Sequence, residues 1–143
     1  MKERLIAYAY LLRVDLLPVH LYTELLDSLF LEYPDDELLL DLEWAQSPKY
    51  EMLSILHIHC IKHPMDQVAF GRHLMKGLEE AYQRFGSDLE GFGERAYALW
   101  QHLPMEIQFE KPYRTLNYAD DLAYYNEADS RQMYEEMFHY FDR

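Results

Sequence analysis

Between Val14 and Pro48 the chain places nine carboxylates and no lysine or arginine: Asp15, Glu24, Asp27, Glu32, Asp35, Asp36, Glu37, Asp41 and Glu43. Side chains of that type and density recognise cations, because the summed charge acts beyond contact distance and steers encounter. A helix from about Asp35 to Ala45 would carry Leu38, Leu39, Leu42 and Ala45 on a core stripe. Leu40 and Trp44 would then point roughly the other way, beside Glu37 and Asp41. A tryptophan among carboxylates is what an interface hot spot for a basic partner looks like. Asp35, Asp36, Glu37, Leu40, Asp41 and Trp44 are therefore candidate partner-binding residues. A second candidate is Tyr118-Ala119-Asp120-Asp121-Leu122-Ala123-Tyr124-Tyr125-Asn126-Glu127. In it Asp120 and Asp121 supply charge, and Tyr124 and Tyr125 supply contact area at low entropic cost.

A different chemistry is offered by His57-Ile58-His59-Cys60-Ile61-Lys62-His63, around which a metal-binding or enzymatic helical domain would be built. His59 and His63, four apart, share a helical face and could hold one metal ion; His57 and Cys60 share a face at i,i+3. The run lacks the glutamate of H-E-x-x-H, and a histidine near a helix C-terminus is already accounted for by the macrodipole. Cys60 reads as a small core residue. Glu136 and His139 match E-x-x-H, but di-iron bundles need a second copy, which the chain lacks. Ser47, Ser87 and Ser130 read as helix caps rather than nucleophiles, and no phosphate-binding loop is present. Arg13 and His20 bracket six residues and loosely resemble the R-x(4–6)-H of HEPN ribonucleases, with Pro18 interrupting the spacing. No catalytic residue and no cofactor is called for.

These side chains need elements to position them, and the composition bounds what those are. The 143 residues, half of them hydrophobic and 15% aromatic, suffice for one folded domain over 1–143 without disulfide or structural metal. A net charge of −13 opposes direct contact with nucleic acid or an anionic membrane. No apolar run approaches the roughly 20 residues that span a bilayer. A lone cysteine, Cys60, fits a reducing, cytoplasmic compartment.

The periodicity predicts an all-α fold: a compact bundle of about six to eight helices around a largely buried helix 48–62. Helices are expected over Lys2–Val14, from Pro18 to Tyr33, over Asp35–Ala45 and, after the Ser47-Pro48 start signal, over Pro48–Lys62. A further helix should run from Met65 to Phe85, stopped by Gly86, and another from the Ser87-Asp88-Leu89-Glu90 capping box to His102. The alternating Met105–Glu110 reads as extended loop. Tyr118–Tyr125 and a last helix capped by Asp129 with Gln132 and ending at Phe141 complete the chain.

In size and charge the chain resembles bacterial toxin-immunity proteins and nuclease inhibitors. The resemblance is one of physical type and rests on no residue motif. It implies a non-enzymatic, acidic protein-binding domain whose partner is a basic protein such as a nuclease toxin or effector.

Overall fold

The computed structural model describes residues 2–142. In it the most continuously apolar segment of the chain becomes a helix buried nearly all round. In α1 (Lys2–Arg13), Leu5, Ile6, Ala7, Ala9, Tyr10, Leu11 and Leu12 are buried. Each fully buried leucine or isoleucine there contributes about 1.5–3 kcal/mol relative to exposure. The helix ends in a Schellman turn. Asp15 takes a left-handed φ of 62°, Leu16 N–H donates to Leu11 O (2.8 Å) and Asp15 N–H to Leu12 O (3.1 Å). Aspartate is among the few non-glycine residues that tolerate this region.

Eight more α-helices follow among the described residues, with no strand. They are α2 (Val19–Glu32), α3 (Glu37–Glu43), α4 (Pro48–Lys62), α5 (Gln67–Phe85), α6 (Leu89–His102), α7 (Met105–Gln108), α8 (Thr115–Ala123) and α9 (Glu127–Phe138), then a 3-10 turn at Tyr140–Asp142. The all-α class expected from the periodicity is the one observed. The chain divides into two compact units, Met1–Leu74 and Met75–Arg143, the division falling within α5.

In the first unit α1 packs on α2 and α4, and α3 on α2 and α4. The core beside α1 is Tyr22, Leu26, Leu38, Leu39, Leu42, Met52, Leu53, Leu56 and Phe70. The expectation of a largely buried helix 48–62 does not hold. Among the described side chains of α4 only Met52, Leu53 and Leu56 are buried, whereas Tyr50, Ile58 and Ile61 are 61%, 67% and 80% exposed. A helix wheel with apolar residues all round is compatible with burial, but one side of α4 already satisfies its contacts with α1 and α3. The central position falls to α1, whose only strongly polar residues lie at its two ends and whose middle is Leu, Ile, Ala and Tyr.

In the second unit α8 packs on α6 and α9. Residues three and four apart on α6 (Leu89, Phe92, Gly93, Ala96 and Leu99) face inward. Their centre is an aromatic cluster in which Phe92 lies 5.0 Å from Tyr134 and 5.3 Å from Tyr82, both edge to face. Two polar ties fix the register of the elements. Ser130 Oγ donates to Ala119 O at 2.7 Å, joining α9 to α8. The Arg131 guanidinium donates to Tyr82 Oη (3.1 Å), Gly86 O (3.2 Å) and Glu127 Oε1 (3.1 Å), joining α9 to the end of α5.

Several boundaries differ from the sequence reading, each for a local reason. Asp88, not Ser87, caps α6 by accepting from Gly91 N–H (2.9 Å), because the turn through Gly86 (φ 56°) carries the chain one residue further before the helix begins. Asn126, not Asp129, caps α9 by accepting from Asp129 N–H (3.1 Å). Ser130 is thereby placed inside the helix and buried. Ser47 holds the capping position of α4 without a side-chain bond; instead its N–H donates to Glu51 Oε2 at 2.6 Å. Pro18 stands just outside α2 in extended conformation. Within the alternating Met105–Glu110, Met105–Gln108 is a helical turn. Reciprocal bonds hold it to α6, from Trp100 Nε1 to Gln108 O (2.8 Å) and from Gln108 Nε2 to Trp100 O (3.0 Å). α8 begins three residues before the expected Tyr118.

Candidate functional site

The nine carboxylates of the acidic stretch do not all remain available. Asp15 is paired with Lys49 Nζ at 2.7 Å. Asp36 is the cap of α3, its Oδ1 accepting from Leu39 N–H at 3.2 Å, so it builds the helix that was expected to present it. Asp27 and Glu43 are hydrogen-bonded to each other. Partial burial, that bond and the Asp27 charge push the Glu43 carboxyl above its ordinary range. The phenol of buried Tyr22 is likewise pushed up, by burial and then by the Glu43 charge. The other five, Glu24, Glu32, Asp35, Glu37 and Asp41, are exposed. Trp44, the C-cap of α3, is 82% exposed and Leu40 half-buried.

The second candidate lies in the other unit. α8 buries Leu116 and Ala119, leaves Asp120 half-buried, and exposes Asp121. Tyr124 and Tyr125, beyond its last turn, are 80% and 88% exposed. Asp120 is set against α6. A Cβ at Gly93 would run into its Oδ1, so the glycine is what lets the carboxylate sit there. Its carboxyl is raised, by burial first and then by the charges of Asp121, Glu94 and Glu90. Glu90, Asp120, Ala123 and Tyr124 line a shallow recess of about 90 Å³. Glu90 and Glu94 were not singled out from the sequence. Their spacing on α6 is visible there, but their pairing with α8 is tertiary.

The raised Asp120 carboxyl has a testable consequence. The folded state holds this proton to higher pH than the unfolded chain, so stability falls as pH rises from about 3.8 through the folded value. Asp120→Asn removes the penalty. The variant is expected to melt above the parent at neutral pH, the difference vanishing below the unfolded carboxyl value. Melting curves of both proteins across the acid range check it.

The histidine run does not converge. His57 Nε2 shares a hydrogen bond of 2.8 Å with Tyr10 Oη, and its partial burial lowers its affinity for a proton. His59 and His63 stack with ring centres 4.7 Å apart, and burial pushes the Cys60 thiol above its ordinary range. Among the described residues no three His, Cys, Asp or Glu side chains are grouped to hold a metal ion. Glu136 accepts from Gln132 rather than meeting His139, whose ring lies between Asp142 (2.7 Å) and Glu79 (3.2 Å). Arg13 lies over the Tyr50 ring (4.9 Å), and His20 lies in the first turn of a separate helix, α2.

Fold and surface together define a class: a helical protein carrying acidic, aromatic-bearing surfaces on each of two units. No family model, curated protein or solved structure matches the chain. No described helix is long and apolar enough to cross a membrane.

Proposed function

We propose that the protein is a non-enzymatic, acidic binding protein that docks a basic protein. In size and charge it is of the kind that neutralises a nuclease-type toxin or effector by covering its phosphate-binding surface. The observation that carries this reading is the concentration of Glu90, Glu94, Asp120 and Asp121 along the seam of α6 and α8, beside exposed Tyr124. Burial first, and then repulsion from its three neighbours, raise the Asp120 carboxyl; an incoming lysine or arginine offsets that repulsion while Tyr124 covers its stem. The exposed Trp44 beside the acids of α3 supports the same chemistry in the first unit.

Immobilised protein, exposed at low salt to nuclease-treated lysate of the source cells, tests the proposal. One dominant basic protein should be retained and released by a salt step, since exposed charge pairs are screened. Retention of nothing specific, or of a partner indifferent to salt, would overturn it.

A further inference from the structure

We propose a second binding site, independent of the acidic surfaces: a cleft of about 250 Å³ in the second unit that takes a small organic carboxylate. Lys111 and Arg114 line it and are the only cations between Ala96 and Ser130. Among the described residues neither side chain has an ion-pair partner, although Glu106 and Glu110 lie within a few positions in sequence. In a chain of net charge −13, two neighbouring cations left unpaired at one cleft are placed to hold an anion from outside.

The other walls specify its chemistry. Thr115 contributes a hydroxyl, and Met133 with buried Met137 supplies a polarisable apolar surface. Tyr118 and Tyr140 add partly exposed rings. Glu136 also lines the cleft, so two cations face one carboxylate and a single net positive charge remains. That balance fits a monoanion better than a phosphate dianion. An arginine fork matches the two oxygens of a carboxylate, and the methionines and tyrosines match a flat or branched apolar body. The volume lies just below the roughly 300–1,000 Å³ of pockets for drug-sized molecules, which sets the ligand near the size of phenylacetate.

The test uses the full chain with ¹³C-labelled methionine methyl groups and phenylacetate as the probe. Saturable shifts of the Met133 and Met137 methyls, with buried Met52 unmoved, are expected. Benzylamine and benzyl alcohol, which keep the ring and lack the negative charge, should bind about tenfold or more weakly. Lys111→Ala with Arg114→Ala, both at exposed positions, should weaken phenylacetate by a similar factor while leaving the Met52 signal in place. Unmoved Met133 and Met137 signals, equal binding of benzylamine, or unchanged binding by the double variant would each overturn the assignment.

Discussion

Phe92→Ala is expected to lower the free energy of unfolding by about 3–5 kcal/mol, the cost of deleting a fully buried aromatic ring. Phe92 is 0% exposed and meets residues from two other helices: Tyr82 and Phe85 on α5, and Tyr134 and Phe138 on α9. Truncation removes the ring's transfer from water and leaves a cavity that four rigid neighbours cannot readily fill. It also removes edge-to-face contacts worth about 0.5–1.5 kcal/mol each before overlap. Phe109 provides the contrast. It is 66% exposed and touches Trp100 edge-on at 5.5 Å, so Phe109→Ala should cost about 1 kcal/mol or less. Urea unfolding of the two variants measures both values. A loss below about 1 kcal/mol for Phe92→Ala would mean that the aromatic cluster is not the core of this unit.

Reversing Glu94 and Asp121 to lysine together is expected to weaken capture of the proposed basic partner by about a hundredfold or more, since like charges across an interface cost several kcal/mol. Stability should move the opposite way. Both reversals place positive charge near Asp120, whose carboxyl is raised partly by these same neighbours, so the folded state gains at neutral pH. Loss of binding with gain in stability separates an interface from a structural role, because damage to the fold lowers both. Trp44→Ala probes the first unit in the same assay. At 82% exposure its removal should leave stability within about 0.5 kcal/mol, yet as an interface anchor it should cost about 2 kcal/mol of binding. Unchanged capture by the double reversal would remove the α6–α8 seam from the interface, and unchanged capture by Trp44→Ala would remove α3.

Helix existence was legible because apolar spacing near 3.6 is a local property, and Pro48, Gly86 and the cap-type residues mark ends within a residue or two. Where two cap-type residues compete, as Ser87 with Asp88 or Asn126 with Asp129, the choice depends on the path of the preceding turn. Met105–Glu110 was misjudged because alternation over six residues carries no information about the Trp100 and Gln108 bonds that curl it into a helix.

The amino-acid sequence by itself determined the all-α class, the sign of the charge, and the presence of aromatic residues among acids, since each is set by composition or by neighbours along the chain. Only the tertiary structure decided which apolar helix is central. α1 and α4 each pack on two helices, but α1 buries residues all round its middle whereas α4 buries one side, Met52, Leu53 and Leu56. Tertiary structure also sorted the acids, assigning Asp15 to an ion pair, Asp36 to a cap and Asp27 to Glu43, and bringing Glu90 and Glu94 to Asp120. Charge is additive along a sequence, but electrostatic work depends on distance and burial, and those exist only once the helices are packed.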